Sequence, residues 1–262
     1  MQAGVSCIPA VGSAASELAE VWNYVANSQP VEARSALRLV ELIDSRERAL
    51  ADVIMALTRL PITGDRLRAL DLSLTGLAVG SDDISAQALY LRARLHQVHL
   101  ASPNYARAGE LYRELAKRHP ASHWAQLGLV KLGLIALYAL TEPVDAADRL
   151  AEVTALLDAI TEPALRRDLQ IQIGWAGLFY DRPLDEVLPH LIAAEREGGL
   201  FGLIPEDLVL QIGELSQRAG NFEQARSYFE RFLREYPVSL RRYSVEQRLL
   251  ELVRRMKVEG GS

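Results

Sequence analysis

From Ser13 onward, apolar and polar residues recur with the period of a helix. Amphipathic stretches are separated by short breaks at Pro, Gly, Asn, Asp or Ser. These breaks predict helices over 14–27, 31–43, 45–60, 65–79, 82–101, 104–119, 122–140, 143–160, 164–181, 184–197, 205–219, 221–236 and 241–257. No segment reads as a strand, so an all-α protein is expected. Asp44 and Glu47 have the spacing of a capping box, and Asp65, Thr161 and Asn221 read as simpler N-caps. Pro61, Pro120 and Pro237 each follow a helical stretch, where the missing N–H and the ring stop propagation. Pro189 falls inside 184–197, which predicts a kink there or a later start.

The pattern repeats. In the segment 206–237, Ile212-Gly213 permits close helix approach and Gly220-Asn221 forms a turn. Phe222, Ala225, Phe229 and Phe232 share one face of the next helix, and Pro237 closes it. The segment SPNYARAGELYRELAKRHP places Tyr105, Ala108, Tyr112, Leu115 and Pro120 at the matching offsets. This grammar resembles the tetratricopeptide repeat family, whose unit of about 34 residues is two antiparallel helices. Taking Gly213 as marker, the equivalent positions are Gly174, Gly133 and His96, at steps of 39, 41 and 37 residues. A further step reaches Leu57, with Gly64-Asp65 and Ala69 in the slots of Gly220-Asn221 and Ala225. A weak first unit holds Leu18-Ala19, Trp22 and Ala33. The resemblance is strongest over 206–237 and next over 89–120. Ser216 stands where the family has tyrosine, and His96 replaces a small residue, so the middle geometry is expected to deviate.

The resemblance implies an all-α, right-handed superhelix of about six antiparallel helix pairs, with a capping helix near 241–257. One repeat domain would cover 13–258, after a flexible leader at 1–12 and before a disordered tail at 259–262. Leu249, Leu250 and Val253 of the capping helix would cover the last repeat or mediate a weak homodimer. The family resemblance also implies that each first helix lines a groove with its second, fifth, ninth, twelfth and thirteenth positions. Those positions include Tyr90, Gln97, Tyr138, Trp175, Phe179, Gln217 and Arg218, the expected partner-binding residues. Relatives that clamp a peptide's terminal carboxylates use Lys, Arg and Asn there. This chain has Ala93, Val130, Ile171, Leu210, Gln97, Leu134, Trp175 and Glu214 instead, so that clamp is absent. An apolar peptide or helix docked around Tyr138, Trp175 and Phe179 is one expectation, with a polar rim at the C-terminal end. A groove filled from within, for instance by the leader, is the other.

Composition narrows the chemistry. The 262 residues are 49% apolar, carried mainly by Ala and Leu, which favours helices. The 29 basic residues against 34 acidic give a net charge of −5, which argues against nucleic acid as a partner. The single Cys7 can form no intramolecular disulfide or cysteine zinc site. Residues 1–16 carry no charged side chain, and no run reaches the roughly 18 apolar residues of a membrane span. The leader reads as a disordered start or the trimmed end of a signal peptide. Its Gly4-Val5-Ser6-Cys7 faintly resembles a bacterial lipoprotein cleavage site, which leaves the compartment open between cytoplasm and periplasm.

His96 and His99 share a helix face, whereas Pro120 separates His119 from His123; neither pair completes a metal motif, and no nucleophile or phosphate-loop motif is present. No enzyme activity, metal or cofactor is expected. The Gly-rich GGLFGLIP at 198–205 reads as a connection whose apolar residues tuck onto neighbouring helices, or as a loop gripping a partner. Trp22, Trp124 and Trp175 read first as core. The functions considered are a non-enzymatic scaffold binding a protein segment, a bacterial envelope assembly factor suggested by FERFLREYPVS, and a regulatory or sensor domain.

Overall fold

The computed structural model describes Val21, Tyr24 and residues 29–40, 45–57 and 64–259. The leader with Cys7, most of the predicted helix 14–27 with Trp22, Asp44 of the capping box, and Pro61 lie outside the described residues, as does the chain beyond Glu259. Among the described residues there are twelve α-helices and no strand. They are α1 (Pro30–Leu37), α2 (Ser45–Leu57), α3 (Gly64–Leu77), α4 (Asp83–Arg94), α5 (Tyr105–Arg118), α6 (His123–Tyr138), α7 (Ala146–Ala155), α8 (Pro163–Phe179), α9 (Leu184–Glu197), α10 (Ile204–Arg218), α11 (Phe222–Glu235) and α12 (Arg242–Glu259). Neighbours in sequence pack in pairs, α2 on α3, α4 on α5, α8 on α9 and α10 on α11. The chain divides into two compact units, residues 1–128 and 129–262, with the boundary inside α6.

In the first unit the buried positions recur at helical spacing. Leu67, Leu70, Leu74 and Leu77 form the inner stripe of α3, and Ala108, Leu111, Tyr112 and Leu115 that of α5. The α3 stripe corrects the sequence register. Ala69 is exposed, and Leu70 takes the slot that Ala225 fills in α11. Gly64-Asp65, expected in the slots of Gly220-Asn221, belong to the first turn of α3 and form no equivalent turn. Trp124 is core, its ring 5.5 Å from Tyr90, which in turn lies 6.1 Å from Tyr112.

The helix that begins as α4 ends in a π-helical turn over Leu95–His99. The deviation falls at the residue that breaks the small-residue pattern. The His96 imidazole lies 3.4 Å from Asp71, and neither ring nitrogen forms a hydrogen bond. Burial alone would raise the Asp71 carboxyl, but the Arg92 guanidinium, 2.7 Å away, and His96 hold it below the usual carboxylate range.

Helix starts use caps other than those expected. Asp82 accepts from the Ser85 N–H at 2.8 Å, Asn104 from Arg107 at 3.0 Å, and Asp145 from Ala147 at 2.7 Å. Asn221 precedes α11 but makes no capping bond, and α8 starts at Pro163 with Glu162 at its N-cap rather than Thr161. Helix ends are met by arginines. Arg118 donates to the Ala78 and Gly80 carbonyls, Arg149 to Ala136 and Thr141, and Arg166 to Leu157. These guanidinium groups cap carbonyls at or just beyond the helix ends.

The second unit is built on close crossings at the marker glycines. A Cβ on Gly213 would lie 2.8 Å from the Phe229 ring, and one on Gly133 2.6 Å from Leu169. A Cβ on Gly174 would collide with Leu191. Pro189 sits within α9, where Val187, Leu188 and Leu191 on the same helix remain buried; the helix starts at Leu184 and does not begin later. Ala225, Phe229 and Phe232 are wholly buried with Val245 and Leu252 of α12. Each large side chain so buried contributes roughly 1.5–3 kcal/mol. The capping helix therefore covers the last repeat, mainly through Val245 and Leu252; Leu249 packs at the edge and Leu250 stays exposed.

Candidate functional site

Of the five groove positions named from the sequence, the fifth is buried in each pair of the second unit, as Val130, Ile171 and Leu210. The ninth and thirteenth are the open ones. They give exposed Leu134 and Tyr138 on α6, exposed Trp175 and Phe179 on α8, and half-buried Glu214 with exposed Arg218 on α10, where Asp207 at the second position is exposed too. Residues four apart share a helix face, so each helix adds a pair to the surface. Phe179 is 70% exposed, Trp175 46% and Tyr138 45%.

The aromatic residues are held rather than loose. Tyr138 meets Phe179 edge-on with ring centroids 5.7 Å apart, and stacks on Tyr180 at 6.4 Å. Tyr180 donates its hydroxyl proton to the Leu137 carbonyl, which fixes the stack. The Trp175 indole N–H donates to Gln211 Oε1 at 3.2 Å, tying α8 to α10. Burial, with Tyr180 close by, raises the Tyr138 hydroxyl above its ordinary pKa. Beyond the aromatics the surface turns polar and internally paired. Asp207 pairs with Arg241, and Glu214 with Arg248 at 2.9 Å. Arg218 lines a recess of about 270 Å³ with Asp181, Leu178 and Leu184; Gln217 is half-buried and does not line it.

Tyr90 and Gln97 lie elsewhere, in the core of the first unit. Gln97 Oε1 accepts from the Tyr112 hydroxyl at 2.7 Å and from Arg94 at 2.8 Å. Its ninth-position slot falls inside the π-helical turn, which turns the residue inward. Sequence reasoning missed the two anchors, Tyr180 and Gln211. Tyr180 follows the end of α8, outside the repeat positions, and Gln211 falls between two of them.

The histidines bring no metal set together: among the described residues no group of three His, Cys, Asp or Glu could hold an ion. No described helix is long and apolar enough to cross a membrane. In the 198–205 connection Leu200 packs against the α9–α10 core, while Phe201 and Leu203 are exposed. Ser239 bonds Glu206 and Arg241 pairs with Asp207, which brings exposed Val238 and Leu240 to the same end of the unit.

Helices paired with their neighbours, small residues at the crossings and a capping helix define an all-α helical-repeat protein. Residues 207–239, spanning most of α10 and all of α11, match the tetratricopeptide repeat family. The chain is thus an all-α helical-repeat protein that carries a repeat of the tetratricopeptide type at 207–239. No curated protein and no solved structure matches it. A repeat of this kind indicates a protein–protein interaction module, and such repeats are typically non-enzymatic.

Proposed function

We propose that the chain is a non-enzymatic scaffold whose second unit holds an apolar segment of another protein against Tyr138, Trp175 and Phe179. The supporting observation is the exposure of these rings at the ninth and thirteenth positions of successive helices, with Trp175 and the Tyr138–Tyr180 stack fixed by hydrogen bonds. Fixed aromatic surface binds at low cost in side-chain entropy, which is why Trp and Tyr dominate interface hot spots. The paired charges on α10 and α12 form the polar rim. The alternative readings are a periplasmic or outer-membrane-associated assembly factor and a regulatory or sensor domain of a larger system.

Selection of a random peptide display library on the full chain tests the proposal. Peptides rich in Leu, Ile, Phe or Met are expected to be enriched, and to lose binding at least about tenfold to a Trp175→Ala, Phe179→Ala variant whose circular dichroism is unchanged. Equal retention by the two proteins would sink the proposal.

A further inference from the structure

The carboxyl ends of α6 and α8 meet at the aromatic shelf, where two sources of negative potential coincide. Tyr138, Phe179 and Tyr180 form a cluster, with Phe179 and Tyr180 centroids 5.0 Å apart. Aromatic faces attract cations. Asp181 follows directly, exposed, with a left-handed backbone (φ 52°) and no ion-pair partner among the described residues. Asp207 and Glu214, by contrast, are already taken by arginines.

Resting on the docking reading above, we infer that this end of the shelf receives a cationic side chain, Lys or Arg, of the docked segment, with Asp181 as its partner. The polarity is opposite to a clamp for carboxylates. Arg182 and Arg218 line the same recess as Asp181; Arg182 is paired with Glu186 and Glu214 with Arg248, which leaves Arg218 as the charge that opposes a cation there.

Three fluorescein-labelled peptides, alternating Leu with Arg, Gln or Glu, would be titrated against the full chain by fluorescence anisotropy. The Arg peptide is expected to bind about tenfold tighter than the Gln peptide, and the Glu peptide most weakly. Asp181→Asn is expected to erase most of that preference while leaving the Gln peptide unaffected, and Arg218→Glu to enlarge it. Glu223→Gln, an exposed acid on α11, is expected to change nothing. The inference is overturned if the Gln or Glu peptide binds wild type as tightly as the Arg peptide. It is overturned too if Asp181→Asn leaves the ranking intact, or if Glu223→Gln reduces it equally. If none of the three peptides binds, the docking reading fails and this inference with it.

Discussion

Gly213 and Gly76 are both helical glycines, yet they respond oppositely to a methyl group. At Gly213 the new carbon meets the wholly buried Phe229 ring, which has no room to retreat. Gly213→Ala is expected to lower stability by about 1–3 kcal/mol through overpacking, despite the better helix propensity of alanine. At Gly76 nothing lies within 4 Å, so Gly76→Ala is expected to raise stability by up to about 1 kcal/mol. Thermal unfolding of the two variants checks both signs, and a stabilised Gly213→Ala would remove the crossing. Such glycines were legible in the sequence because a small residue recurring at a crossing leaves a period. The anchors of the shelf were not. A hydrogen bond from Tyr180 to Leu137, or from Trp175 to Gln211, joins one repeat to the next and leaves no spacing to read. The arginine contacts to helix ends are equally invisible in a helical pattern. Even so, only Lys117, Lys131 and Lys257 among the 29 basic residues are lysine, consistent with a demand for guanidinium forks.

Whole elements were read more reliably than their registers. Every described helix lies close to a predicted one, since burying one face forces the helical period. The register slipped by one residue in α3, where leucines occupy the inner stripe and no small residue marks the crossing. A matched pair of substitutions measures that slip. Ala225→Leu, at a wholly buried site, is expected to cost about 1–3 kcal/mol, whereas Ala69→Leu on the exposed face is expected to fall within about 0.5 kcal/mol of wild type. Comparable losses in urea unfolding would restore the original register. The π turn at Leu95–His99 shows where an element departs from the repeat, and its outcome is functional: Gln97 becomes a buried hydrogen-bond acceptor instead of a groove residue.

At the scale of the whole molecule, titration links the units to pH. Burial, reinforced by Arg94, lowers the pKa of His99 in the first unit, and burial lowers that of His190 in the second. A histidine whose folded pKa is depressed contributes stability that is present above about pH 6.5 and is lost as pH falls through the folded value, because the unfolded chain takes the proton first. Asp82 responds at a lower pH. Burial pushes its carboxyl up, but the Arg46 guanidinium and Ser85 outweigh burial and hold it down to about 2, so its contribution persists until pH falls below 3.8 toward that value. Urea midpoints are therefore expected to drop between about pH 7 and about pH 5, and His190→Gln to flatten the drop. A midpoint that rises on acidification over that interval would contradict the burial of these rings.

The candidate surface was only half legible in the sequence. The sequence pointed to Tyr138, Trp175 and Phe179 as exposed candidates, but also to Tyr90, which is buried against Tyr112 and Trp124, and to Gln97, which falls in the π turn. The second unit also exposes Phe201, Leu203, Val238 and Leu240 on its loops, so the most direct measurement is one that separates the two surfaces. Amide chemical shifts of the isotopically labelled full chain would be followed while a display-selected peptide is added. Perturbations centred on 134–138, 175–181 and 211–218 are the expected result; perturbations centred on 200–204 and 237–243, with the shelf unmoved, would contradict it.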